Sequence, residues 1–148
     1  PELLAEIDVL QAGASDETSS EYPFLMAAGE RRAFTANTII RDPDWRRKDA
    51  EGALLIHPED AARLNLGSGS RATITTQTGD ANVLVEVSDR MMRGHVSLPN
   101  GYGLGSTSKD GEWELTGVAP NELTSFEDRD KFAGTPWHKS IPVRIEAC

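Results

Sequence analysis

Apolar residues in this chain fall in short runs separated by polar or glycine-rich connections, and most runs are too short for a helix. Phe24 to Ala28 is the first such run. It stops at Gly29 and reads as a buried strand that delivers the backbone into a turn. Ala53 to Ile56 reads as a second buried strand. His57-Pro58-Glu59-Asp60 then opens a helix, with proline at its start and acids in its first turn. Ala61, Ala62 and Leu64 continue it, and Gly67 reads as its left-handed cap. Arg71 to Thr76 is a β-branched strand, Thr78-Gly79 a turn, and Ala81 to Val87 a return strand with Val83, Val85 and Val87 on one face. His95 to Leu98 and Pro142 to Glu146 complete the strands. Arg41 to Gly52 reads as a charged loop around Trp45, and the Gly- and Ser-rich stretch Leu104 to Gly117 as a mobile loop. Short strands with one helix after the second, and no βαβ alternation or GxGxxG, predict a small closed barrel rather than a doubly wound sheet.

Before Tyr22 the pattern weakens. Leu3, Ile7 and Leu10 have helical spacing, predicting a short helix or an extended lead-in, and Ala14 to Glu21 is a polar linker. The expected organisation is a lead-in over 1–21 from a missing N-terminal part and one domain over 22–148, long enough for a core without disulfides. The single cysteine, Cys148, leaves no internal disulfide and no cysteine cluster for a metal. His57, His95 and His138 lack ligand spacing, so no metal site is expected from them. No apolar run approaches the length of a membrane helix.

Charge changes the picture locally. The net charge of −9 argues against nonspecific nucleic-acid binding. Yet Arg31, Arg32, Arg41, Arg46, Arg47 and Lys48 crowd between Glu30 and Lys48 against only Glu30, Asp42 and Asp44. A positive patch on an acidic protein fits a small anionic ligand. Gly29 frees backbone N–H groups to face such a ligand, and Arg31 and Arg32 offer guanidinium forks for phosphate oxygens. An ordinary strand-to-loop junction with solvated charges fits the pattern equally well. Trp45, Trp113 and Trp137 read as packing residues. Asp128 and Asp130 are close in sequence, but nothing beside them suggests general acid–base chemistry.

Several motifs in order carry a more specific signal. They are Ala28-Gly29-Glu30-Arg31 with Asn37-Thr38; Ile56-His57-Pro58-Glu59-Asp60-Ala61-Ala62 followed by Leu64, Leu66 and Gly69-Ser70-Arg71; Gly79; Val87-Ser88-Asp89 to Gly94-His95-Val96; Pro99-Asn100-Gly101; Asn121-Glu122-Leu123-Thr124; and Lys139. Together, over about Tyr22 to Glu146, they resemble the C-terminal dinucleotide-binding domain of the molybdopterin oxidoreductases, the family of DMSO reductases, formate dehydrogenases and nitrate reductases. The chain departs from the family pattern at Glu30, where a basic or small residue is usual, and at Asn65 and Ser70, where Gly and Asp are usual.

The resemblance implies a mainly β fold, the aspartate decarboxylase-like double-psi β-barrel with one or two short helices. It implies binding of molybdopterin guanine dinucleotide, carrying molybdenum or tungsten, inside a larger oxidoreductase whose remaining domains are the partners. Carried over residue by residue, the cofactor contacts expected are Gly29, Glu30, Arg31, Arg32, Thr35, Asn37, Thr38, Asn100, Asn121 and Lys139. An amide such as Asn121 suits a heterocycle edge, though Pro120-Asn121-Glu122-Leu123 also reads as a helix start with Asn121 as its cap. No catalytic or metal-ligating residue is expected in this chain, which alone should be inactive. The expected compartment is the cytoplasm, with the periplasm left open. The alternative function is a double-psi-barrel adaptor that binds a protein partner without cofactor; the Gly-Arg loop weighs against it. A self-cleaving pyruvoyl enzyme on the same fold would need Gly69-Ser70 or Gly105-Ser106 outside plain turn composition.

Overall fold

The computed structural model describes residues 2–11, 18–30, 42–46, 49–130 and 132–148. Six strands close into a ring in the order β1-β5-β2-β4-β3-β8: β1 (Phe24–Glu30), β2 (Leu54–Ile56), β3 (Arg71–Thr75), β4 (Asp80–Val87), β5 (His95–Pro99) and β8 (Ile141–Ala147). A separate hairpin pairs β6 (Leu104–Thr107) with β7 (Trp113–Thr116). β1 runs parallel to β5, and β2 parallel to β4, while β2 and β5 are antiparallel to each other. This ring with two parallel pairs is the expected double-psi β-barrel. Its interior is filled at every second position, as the pleat requires: Phe24, Met26 and Ala28; Leu54 and Ile56; Ala72 and Ile74; Val83 and Val85; Val96 and Leu98; Val143 and Ile145.

Strand direction decides where the connections lie. Ala28 pairs with Leu98 in parallel, and Met26 with Ile141 in the antiparallel sense. The C-terminal ends of β1, β3 and β5 therefore share one end of the barrel with the N-terminal ends of β2, β4 and β8. We call this end the rim. The opposite end carries helix α3 (Pro58–Arg63) and the 88–94 turn. There the buried Asp60 carboxylate accepts from Gly94 N–H at 2.7 Å and from Arg63, joining the helix to the start of β5.

Helix α3 begins as the sequence predicts but ends differently. His57 caps it, its Nδ1 accepting from Glu59 N–H at 3.1 Å. The left-handed residue is Asn65 (φ 56°), not Gly67. Asn65 N–H donates to Ala62 C=O and Leu66 N–H to Ala61 C=O, the paired bonds of a Schellman end. Asn tolerates left-handed backbone better than other side chains. The position where the family usually has glycine is thus still served, and Gly67 is free to donate to Ser70 Oγ at 3.0 Å.

The stretch Leu104–Gly117 is a β-hairpin, which corrects its reading as a mobile loop. Glycine content misled there. Gly105 is bare because the Trp113 indole lies across it, and a Cβ would sit 1.9 Å from that ring. The hairpin turn closes through Ser108, whose N–H and Oγ engage Glu112, with Gly111 left-handed at φ 84°. Its base is pressed against the segment that leads into β2. Gly117 (φ 76°) would place a Cβ 2.2 Å from the Glu51 carbonyl oxygen. The lead-in contains a helix, α1 (Glu2–Gln11), and the 42–52 loop contains a single turn, α2 (Pro43–Arg46).

Gly69, also left-handed, has open space where a Cβ would go. Gly69→Ala should therefore cost about 1–2 kcal/mol, the left-handed penalty alone. Gly117→Ala should cost about 1–3 kcal/mol more, because the overlap with Glu51 must be relieved by moving backbone. Urea unfolding of both variants measures this, and equal losses would mean the hairpin base yields freely.

Candidate functional site

The rim collects residues from distant parts of the sequence. Gly29 is a bulge near the end of β1, where the register with β5 shifts between Ala28 and Glu30. Its φ of 89° requires glycine, and nothing lies within 4 Å of a Cβ there, so the backbone is open to an approaching group. Pairing thus continues one residue past Gly29, where the sequence predicted the strand to end. Asn100 follows β5 directly and accepts from Gly101 N–H at 2.8 Å through its Oδ1. Asn121 lies in a single 3-10 turn, Pro120–Glu122, whose cap is Ala119 with no side-chain bond. It is exposed and not a cap, which removes that alternative reading. Lys139 is exposed just before β8, beside His138, whose carbonyl accepts from Ala28 N–H at 2.6 Å.

Next to Lys139 the rim holds a cleft of about 510 Å³. The β3–β4 turn supplies Thr76, Gln77 and Thr78; the segment after the 3-10 turn supplies Leu123, Thr124 and Asp128; the approach to β8 supplies Trp137, Lys139 and Ser140. Thr76 holds the turn by accepting from Thr78 and Gly79 N–H through its Oγ1. The structure therefore brings Lys139 into the cleft and Asn121 beside it, while Gly29 and Asn100 share the rim without lining the cleft. Arg31, Arg32, Thr35, Asn37 and Thr38 lie outside the described residues, as does the Glu30 side chain. Sequence reasoning missed Thr76 and Thr78, read as strand and turn, and Trp137, read as packing. Trp137 is 58% exposed. The available signal was a tryptophan in a polar, Gly-Pro-containing stretch.

Arg46 needs correction too. It was grouped with a basic patch, but it is buried, with its guanidinium over the Tyr102 ring at 4.7 Å and Nη1 donating to Ala50 C=O at 2.9 Å. Burial lowers its pKa from the usual arginine value, and the fields of Tyr102, Asp49 and Asp42 oppose that shift. Tyr102 in turn donates its hydroxyl to Asp49 C=O at 3.0 Å. Trp45, also read as packing, is exposed; Trp113 is exposed too but packs across Gly105. Lys109 at the hairpin tip pairs with Asp44 at 2.6 Å, and this contact raises the lysine's pKa. The Arg46–Tyr102 cation–π contact, the Tyr102–Asp49 hydrogen bond and the ion pairs Lys109–Asp44 and Arg71–Glu51 thus fasten the described residues of this segment.

Residues 24–142 match the family model described as "Molydopterin dinucleotide binding domain". The chain belongs to this family. This molybdopterin dinucleotide-binding domain also aligns with a tetrathionate reductase subunit from Archaeoglobus fulgidus, at 31% identity over 84 residues, 57% of this chain and 7% of that protein. Acetylene hydratase from Pelobacter acetylenicus has the same fold: TM-score 0.71 at 22% identity, covering 86% of this chain and 19% of that one. The chain spans a small fraction of both relatives' lengths. Among the described residues no three His, Cys, Asp or Glu side chains gather to hold a metal, and no helix is long and apolar enough to cross a membrane. The donor set of the rim suits a dinucleotide cofactor: hydroxyls and an ammonium for phosphate oxygens, and amides, a carboxylate and an indole for heterocycles.

Removing the Tyr102 platform tests the fastening of the rim. Tyr102→Phe should cost about 1 kcal/mol, the worth of one hydrogen bond. Tyr102→Ala should cost about 3–5 kcal/mol, because a cavity opens beneath a buried cation. Urea unfolding gives both values, and a small loss for Tyr102→Ala would show that the 42–52 segment is held elsewhere.

Proposed function

We propose that this chain is the C-terminal domain of a larger molybdenum or tungsten oxidoreductase, where it binds and orients the guanine dinucleotide form of molybdopterin. The observation that carries this reading is the convergence of Gly29, Asn100, Asn121 and Lys139 on one barrel end, beside a polar cleft, in a chain of the dinucleotide-binding family. When bound, the cofactor supplies redox chemistry at its metal. The chain's own residues bind and position. Lys139 sets a positive charge against phosphate oxygens, and the Thr76 and Thr78 hydroxyls lie in the same cleft. Asn100 and Asn121 present amides to ring edges, and the bare backbone at Gly29 allows close approach. The remaining domains of the parent enzyme cover the rim and complete the cofactor's enclosure. The small share of each relative that this chain spans supports that division of labour.

The 148-residue chain offers only part of such a site. It should bind GDP weakly, near millimolar, on the order of 4 kcal/mol. An NMR titration should move the resonances of Gly29, Asn121 and Lys139, with the shifts shrinking as salt screens the phosphate contacts. Lys139→Ala should weaken binding several-fold, as expected for one charge-assisted contact. If GDP at several millimolar moves none of these resonances, the reading fails for the chain on its own.

A further inference from the structure

Asp128 and Trp137 face each other across the base of a small loop. Trp137 N–H donates to Asp128 C=O at 2.8 Å, Arg129 and Pro136 form an antiparallel bridge, and Asp130 N–H donates to Thr135 C=O at 2.8 Å. Within the loop the Asp130 carboxylate accepts from Phe132 N–H at 3.0 Å and from Ala133 N–H. These bonds fix the backbone under both residues. Opposed residues of an antiparallel pair project to the same side, and here both line the cleft. A half-exposed indole on a fixed backbone inside a cleft is a stacking surface for a flat ring. The bond described at Asp128 uses its backbone carbonyl, so the carboxylate remains available to the cleft. Lys139 lies two residues beyond the indole, on the same wall.

An ionised carboxylate only accepts, at two oxygens. It therefore matches a ring edge with two adjacent donors, a ring N–H beside an exocyclic amine. A 2-amino-4-oxopyrimidine ring has that edge, and guanine and pterin both contain it. Adenine and cytosine instead place a ring acceptor next to their amine, which would face the carboxylate with like partial charge. We infer that Trp137 and Asp128 form a selective seat for a 2-amino-4-oxopyrimidine ring, Trp137 by stacking and Asp128 by reading the donor edge. This rests on the cofactor reading above and names the part of the cofactor that the cleft receives.

The test follows the Trp137 indole N–H resonance of the 15N-labelled 148-residue chain, assigned with Trp137→Phe. GDP, neopterin and ADP are the probes. GDP or neopterin should move the indole at concentrations about tenfold below ADP, the worth of one or two exposed hydrogen bonds. The tighter of the two identifies the source of the ring, nucleotide base or pterin. Asp128→Asn should weaken that ligand about tenfold and turn the preference toward xanthosine diphosphate or the 2-oxo pteridine, whose carbonyl accepts from the new amide. A purely structural role for Asp128 would not produce that reversal. If GDP, neopterin and ADP move the indole alike, or Asp128→Asn weakens binding without the reversal, the inference is overturned. Shifts at Gly29, Asn121 and Lys139 with a silent indole also overturn it, while leaving the cofactor reading standing. Silence at every rim residue removes both for the chain on its own.

Discussion

The structure depends on β1 being paired on both sides. Its backbone bonds in parallel to β5 and antiparallel to β8, and this closes the ring. Closure has two consequences. It removes sheet edges from the barrel, and it encloses an interior that alternating apolar side chains fill. Met26, Leu54, Ile56, Ile74, Val96, Leu98 and Val143 are all fully buried, so the ring and its filling specify each other. The same strand directions bring the 76–79 turn, the segment after β5 and the approach to β8 to one end, where residues far apart in sequence meet. Loops are free to carry function there because the ring below holds their ends.

The rim is not a loose fringe. The Tyr102 ring lies against Gly52, where a Cβ would sit 2.5 Å from it, and beneath the Arg46 guanidinium. Gly103 and Gly117 approach Ala119 and Glu51 closely on either side of the hairpin. A buried arginine is costly unless its charge is met, and here an aromatic face and a carbonyl meet it. Arg46 thus serves structure, while Lys139 lies in the cleft.

Much of the barrel was legible in the sequence because burial in a closed sheet imposes a period of two. Val83 and Val85 announced β4, and Ala72 and Ile74 announced β3. The β6–β7 hairpin was hidden because its glycine is a packing site for Trp113, and composition alone reads glycine as freedom. The exchange of Gly67 for Asn65 was hidden because only the bond pattern tells which residue turns left-handed. At the candidate site, motif order singled out Gly29, Asn100, Asn121 and Lys139, which the structure places on the rim, while Arg31, Arg32, Thr35, Asn37 and Thr38 lie outside the described residues. Asp128 and Trp137 were visible only as isolated residues. Their opposition depends on a loop whose pairing, Arg129 with Pro136, has no periodic signature.

The bond between the first and last strands of the ring also has a meaning in time. Phe24 pairs with Val143, so nearly the whole barrel sequence separates the two sides of the seam. Pairings of such span add closure entropy before they return any contact energy, and they slow folding. On the ribosome, β1 emerges long before β8, and its edge toward β8 stays unpaired until that last strand is made. The apolar face of Phe24, Met26 and Ala28 is then a transient template for other chains. For a ring of this topology, that particular hazard ends when β8 closes the seam.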